Sequence, residues 1–114
     1  MFDALKQLGS LGPMMAKARE MQAKVAEVQA RLPDLRATGT AGGGLVTATA
    51  SGTMEIVKLD FSKDALANDP DFLADLTRAA VNQALKNVAE IVQQEMQQAA
   101  GGLDLGAIKG MLGS

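Results

Sequence analysis

The sequence has 114 residues, 47% of them hydrophobic, which is enough for one domain with an apolar core. It contains no cysteine and no histidine, which excludes disulfides, thiolate metal sites and the usual general base at neutral pH. The net charge is −2, yet residues 1–36 carry six basic and four acidic side chains, whereas residues 37–114 carry five and nine. Positive charge is therefore concentrated at the start of the chain.

The first predicted element is a long helix. Residues 1–12 are expected to be a flexible lead-in, and Gly12-Pro13 predicts a helix start because proline is favoured at the first helical position. Apolar residues then recur at alternating spacings of four and three, which is a heptad seam. These residues are Met14, Ala18, Met21, Val25, Val28 and Leu32. Pro33 predicts the helix end because the residue before a proline disfavours the α conformation.

Three segments with strand character follow, at residues 34–40, 44–51 and 53–61. In the third segment, residues alternate with the period of a β-strand. One set is Val57, Leu59 and Phe61, and the other is Ile56, Lys58 and Asp60. Ser51-Gly52 separates the second and third segments by the length of a tight hairpin turn. The simplest arrangement is a three-stranded antiparallel sheet.

The run TGTAGGGLVTAT, residues 38–49, resembles a phosphate-binding loop at first sight. A P-loop needs a lysine and a hydroxyl residue after its second glycine, and neither follows at that spacing. A dinucleotide-binding fingerprint leads into a helix, whereas these glycines precede a strand. We therefore predict that the glycines supply positive φ angles at a chain reversal.

A second long helix is predicted from Asp69, a good N-cap, and Pro70 to about Ala100, where two glycines follow. Its apolar residues cover an arc of roughly 200°, about twice what one sheet face needs. Thirty helical residues also extend ~45 Å, far beyond the width of a domain of this size. Both features predict a homodimer in which projecting long helices pack across a two-fold axis. The expected interface residues are Leu85, Val88, Val92 and Met96.

The predicted organisation is thus α+β, with one α-β-β-β-α domain over residues 13–100 and a flexible, glycine-rich tail over residues 101–114. Its charged feature is a row of three cations, Lys17, Lys24 and Arg31, spaced seven residues apart along the first helix. Such a row is either a solvated flank that pairs with a partner helix or a surface that follows a phosphate backbone. The row extends over ~21 Å, and a dimer would present it twice.

No residues suggest an enzyme. The serines have no histidine partner, and the carboxylates stand in turn-like contexts where they serve as caps. We therefore expect no catalytic site, no metal, no cofactor and no small-molecule substrate. No run approaches ~18 apolar residues, so we expect no membrane partner.

Three stretches taken together resemble the YbaB/EbfC family of bacterial nucleoid-associated proteins. They are MMAKAREMQAKVAEVQ, ATGTAGGGLVTATASGTMEIVKLDFS and DPDFLADLTRAAVNQALKNVAE. The most specific part is the T-G-x-x-G-x-G-L-V run followed about six residues later by Ser51-Gly52, and Ala80, Asn82 and Ala84 support it. The resemblance covers nearly the whole chain except the tail.

The resemblance implies a cytoplasmic, nucleoid-located homodimer whose helices project from a central sheet and bind double-stranded DNA with weak or broad sequence preference. The basic residues that match by position are Lys17, Arg19, Lys24 and Arg31, with Lys6 and Arg36 as additions. The last helix has only Arg78 and Lys86, so it is expected to position the dimer. The alternative is a dimeric protein–protein interaction module with no direct DNA role.

Overall fold

The computed structural model describes the backbone of residues 2–100 and the side chains of residues 11–100. Helix α1 (Phe2–Arg31) leads into strands β1 (Arg36–Ala41), β2 (Val46–Ser51) and β3 (Ile56–Phe61), and helix α2 (Pro70–Ala99) follows. Short 3₁₀ turns lie at Leu32–Asp34 and Ala65–Ala67. The predicted α+β order is confirmed, and the predicted tail at 101–114 lies outside the described residues.

The described residues divide into two compact units, residues 30–95 and residues 2–29 with 96–100. The first unit contains the sheet, in the order β1-β2-β3 with both pairings antiparallel. The second contains most of α1. The predicted extent of a single domain, residues 13–100, stays a prediction.

The core of the sheet unit is built from small side chains on the facing surfaces of β2 and α2. Six of these residues are completely buried, namely Val46, Ala48, Ala50, Ala80, Ala84 and Val88. A Cβ atom on Gly39 of β1 would collide with the backbone of α2 at Ala80 and Ala84. Gly39 is therefore a strand residue that allows the helix to approach the sheet closely.

The glycine run forms the turn between β1 and β2, as predicted. Gly42, Gly43 and Gly44 have φ angles of +66°, +68° and +96°. These angles lie in a region that other L-residues rarely adopt, so consecutive glycines are required for this reversal. Their local role is structural.

Helix α1 begins at Phe2, so the start predicted at Pro13 is wrong: Pro13 lies inside the helix. Proline has a φ angle close to the helical value, and a helix can continue through it with the loss of one hydrogen bond. Pro13 is therefore compatible both with the first turn of a helix and with a position inside one. The predicted flexibility of residues 1–12 stays a prediction, whereas the helix end before Pro33 is confirmed.

Strand β3 is an edge of the sheet with an apolar surface that residues 11–100 leave partly uncovered. Leu59 and Phe61 pair in register with the buried residues Ala48 and Val46 of β2. Residues opposite one another in a sheet share a face, so Leu59 and Phe61 lie on the core side. They are nevertheless 41% and 40% exposed. Helix α2 therefore leaves part of this face open at β3.

The opposite edge, β1, is held by α2. The side-chain amide of Asn87 donates to the backbone oxygen of Thr38, and the backbone N–H of Thr40 donates to Oε1 of Gln83, both at 2.8 Å. Within the described part of the chain, no side chain makes a comparable bond to the backbone of β3. The two edges of the sheet thus differ in their availability for further pairing.

Candidate nucleic-acid interface

The predicted row of cations lies on one side of α1. Lys17, Lys24 and Arg31 are exposed and belong to one continuous helix. A seven-residue step returns to nearly the same side of a helix and rises about 10.5 Å. The three side chains are therefore aligned, but their surroundings differ.

The two lysines are available to an external anion. Lys17 has no carboxylate within ion-pair distance among residues 11–100, and Lys24 Nζ lies 3.4 Å from Oε1 of Glu20. The side chains of Lys24 and Glu20 are 48% and 64% exposed. An ion pair this exposed contributes little to stability, so a phosphate can replace Glu20 at small cost.

Arg31 has a different environment. Its Nη2 atom lies 3.0 Å from Oε2 of Glu95 on α2, and the Glu95 side chain is only 29% exposed. Arg36 also has partners, since its guanidinium donates to the backbone oxygens of Pro33 and Leu35. The two arginines near the junction of α1 and β1 thus already form bonds within the chain.

The remaining predicted DNA contacts do not lie in this row. Arg19 is exposed, but two residues along a helix turn by about 200°, so it lies nearly opposite Lys17. Lys6 belongs to α1, and its side chain lies outside the described residues.

The heptad seam of α1 is buried only towards its C-terminal end. Val28 is 3% exposed and Met14 is 66% exposed, with Met21 and Val25 between these extremes. A groove of about 370 Å³ runs along this side of the helix. It is lined by Ala18, Met21, Gln22, Val25, Ala26 and Gln29. The groove is lined mainly by apolar side chains, whereas the row of cations is charged.

The predicted dimer residues on α2 are not equally placed to meet a second copy. Val88 is completely buried in the core of its own chain, so it has no surface left for a partner. Leu85, Val92 and Met96 are each partly exposed, and Leu85 also packs against the core. Helix α2 uses much of its wide apolar arc on β1 and β2. The sequence does not single out the exposed residues Leu59 and Phe61 as interface residues, because their alternation with polar neighbours indicates a strand and nothing more.

No stretch of the helices in residues 2–100 is apolar enough over sufficient length to cross a bilayer. Across the side chains that the structure describes, no group of three or more acidic residues could hold a metal ion.

Two curated proteins resemble this chain over most of its length. A nucleoid-associated protein of Thermoanaerobacter pseudethanolicus is 37% identical over 97 residues, which cover 84% of this chain and 87% of the relative. A nucleoid-associated protein of Caldanaerobacter subterraneus is 35% identical over 97 residues, with the same coverage. Both are described as nucleoid-associated in their names.

An uncharacterized protein of Helicobacter pylori has a similar structure, with a TM-score of 0.54 and 24% identity. The match covers 65% of this chain and 87% of that one, and it supports the fold alone. The sequence profile of the YbaB/EbfC DNA-binding family matches residues 7–103. The chain therefore belongs to the YbaB/EbfC DNA-binding family.

Proposed function

We propose that the protein is a nucleoid-associated protein that binds double-stranded DNA as a homodimer, mainly through phosphate contacts from Lys17 and Lys24. The observation that carries the proposal is an exposed row of lysines on one helix of a chain whose net charge is −2. Family membership and the names of the relatives support DNA as the partner and the nucleoid, in the cytoplasm, as the location.

The spacing of the lysines suits a phosphate backbone. Duplex DNA carries one negative charge per ~1.7 Å of its axis, so side chains ~10.5 Å apart can each meet a phosphate. Both side chains are exposed, and neither is held by a buried partner. A second copy doubles the number of contacts, which compensates for the small number on one chain.

The proposed recognition has weak or broad sequence preference. Lysine binds phosphate as a point charge, and phosphate contacts carry no direct information about base sequence. Two of the three phenylalanines, Phe61 and Phe72, lie outside α1, and the chain has no tyrosine or tryptophan. Stacking of exposed bases is therefore not part of the proposal.

The homodimer is proposed to form at β3. A second copy that covers Leu59 and Phe61 removes an apolar surface from water at the edge that α2 leaves open. The β1 edge is less suitable because Gln83 and Asn87 already bond to its backbone. Leu85, Val92 and Met96 remain in the proposed interface because their side chains are partly exposed, whereas Val88 is removed from it.

The test is duplex binding by the purified protein over a series of salt concentrations. Two lysines on each of two chains give four contacts, so log K should fall with log salt at a slope of about −4. Measurements by fluorescence anisotropy with several unrelated duplexes should give affinities within about tenfold of one another. Binding that is insensitive to salt would exclude the electrostatic mechanism.

The second candidate function, a dimeric protein-interaction module, is favoured by the apolar groove on α1. Replacing Lys17 and Lys24 by glutamate separates the two candidates, because it reverses the row of charges without changing the groove. The DNA-binding proposal predicts at least about a hundredfold weaker duplex binding with an unchanged mass in solution. If duplex binding survives, the lysines are not the contact and the interaction module is favoured.

A further inference from the structure

The apolar groove on α1 is lined by residues of that helix alone, from Ala18 to Gln29. Its apolar floor includes Ala18, Met21 and Val25. The side chain of Ala18 is exposed, and those of Met21 and Val25 are half-buried. The groove follows about three turns of helix. An apolar strip of this length is the kind of surface that an amphipathic helix covers when it packs against another helix.

The two edges of the groove differ in charge. Lys17 and Lys24 lie on the side of Met21, about 40° and 60° away from it around the helix. Gln22 and Gln29 line the opposite side. One edge is therefore cationic, and the other is polar but uncharged.

The acidic side chains of this part of α1 do not neutralise the cationic edge from within the groove. Glu20 and Glu27 lie about 100° and 120° from Met21, beyond the lysines and away from the groove. Glu20 contacts Lys24, but its side chain is 64% exposed, so this ion pair is easily exchanged. No acidic side chain lines the groove. A helix that packs in it therefore meets positive charge first.

A second copy of α1 matches this groove poorly. When Ala18 and Val25 are placed at heptad position a, the two lysines occupy g, and Gln22 and Gln29 occupy e. In a parallel pair each lysine would face a glutamine, and in an antiparallel pair the lysines would face each other. Neither arrangement forms an ion pair. Acidic residues beside the apolar face of a partner helix would form one in either orientation.

We propose that this groove binds an amphipathic helix of another protein, with acidic residues beside its apolar face, and that this partner competes with duplex DNA for Lys17 and Lys24. The competition rests on the proposed function, because it requires the lysines to bind phosphate. A bound acidic helix neutralises the same side chains and places negative charge next to the path of the phosphates. DNA binding would then be regulated by the partner.

The probe is a designed peptide of three heptads, about 21 residues, with leucine at a and d and glutamate at e and g. The matched control peptide has lysine at e and g, and like charges at these positions disfavour self-pairing of either peptide. Fluorescence anisotropy with the full-length protein should show at least about tenfold tighter binding of the glutamate peptide. Equal affinities, or no binding of the glutamate peptide, would overturn the proposal.

Variants of the full-length protein locate the binding surface. Met21→Gln removes an apolar floor residue without a change of charge, and it should weaken binding of the glutamate peptide by at least about tenfold with unchanged duplex binding. The matched control is Ala23→Gln, an exposed position about 160° from Met21, which should change neither. Ala18→Gln places a longer polar side chain in the groove from an exposed position, so it tests the same point without altering a half-buried residue. Peptide binding that survives both groove variants would contradict the assignment.

Competition is measured by adding the glutamate peptide to a complex of the protein with duplex DNA. Saturating peptide should weaken duplex binding by at least about tenfold in the wild type and leave it unchanged in Met21→Gln. The variant with Lys17→Gln and Lys24→Gln should bind the two peptides with affinities within about twofold of each other. Duplex binding that is unaffected by bound peptide would overturn the competition.

Other occupants of the groove would give distinct results. A lower solution mass of Met21→Gln would assign the groove to a second copy of the chain. Peptide binding detected only after Leu105→Asp with Ile108→Asp would assign it to residues 101–114. Either result would overturn the proposal. Absence of duplex binding by the wild-type protein, with the peptide preference retained, would instead overturn the proposed function and the competition but not the preference of the groove for an acidic helix.

Discussion

Residues 30–95 and the exposed part of α1 show opposite uses of the same kinds of residue. In the sheet unit, the buried side chains are mostly alanine and valine, and even a single Cβ at Gly39 has no room. Along α1, every residue from 11 to 20 is exposed, including Met14 and Met15. The first region specifies the fold through close packing, and the second leaves charged and apolar side chains exposed to solvent. Substitutions of buried residues within 30–95 should therefore lower the stability of the fold, whereas substitutions on the exposed part of α1 should change binding.

The largest effect on stability is expected from Gly39→Val. The atoms that the new side chain would meet are the backbone oxygen of Ala80 and the backbone nitrogen of Ala84. Because neither belongs to a flexible side chain, the backbone of α2 must move. We expect a loss of about 3 kcal/mol in the free energy of unfolding, measured by urea denaturation. The control is Gly43→Ala, which meets open space and has only the strain of a φ angle of +68°. It should lose about 1 kcal/mol. Equal losses in the two variants would contradict the close approach of strand and helix.

Val88→Ala tests whether α2 uses this residue inside its own chain. It is completely buried beneath the sheet, so its truncation should cost about 2 kcal/mol of unfolding free energy. The variant should still have the solution mass of the wild-type protein. A change in mass without a loss of stability would place Val88 in an interface between copies.

Leu59→Asp tests the proposed interface at β3. A carboxylate at this uncovered position disfavours burial against a second copy but does not disturb the buried residues of its own chain. The dimer dissociation constant should rise by at least about tenfold, measured by analytical ultracentrifugation. Lys58→Asp, on the opposite face of the same strand, is the matched control. If both variants dissociate equally, charge at the edge would be responsible and not the apolar surface.

The smallest effect is expected from Met14→Ala. This side chain is 66% exposed on α1, so the free energy of unfolding should change by less than about 0.5 kcal/mol. A loss above about 1 kcal/mol would mean that the exposed seam is covered in solution.

The order of elements was predictable because it depends on local patterns. Three patterns depend only on neighbouring residues: the seven-residue seam, the pair Asp69-Pro70 and the three consecutive glycines. Helix α2 begins at Pro70, as the second of these patterns predicts. The predicted start of α1 at Pro13 is wrong because a proline fits either the first turn or the interior of a helix.

The candidate site was predictable only in part. The alignment of Lys17, Lys24 and Arg31 follows from helix geometry and needs no tertiary structure. The pairing of Arg31 with Glu95 depends on residues 64 positions apart, and the burial of Val88 depends on how much of α2 the sheet covers. Such facts arise from packing between distant segments, which a single sequence does not report.

The most direct test of phosphate binding by α1 compares the salt dependence of duplex binding for the wild-type protein and for a variant with Lys17→Gln and Lys24→Gln. Both proteins should unfold at the same temperature because the two lysines are exposed. Phosphate binding by the two lysines predicts a slope of log K against log salt of about −4 for the wild type, reduced in magnitude to less than about 1 in the variant. Equal slopes for the two proteins would contradict it.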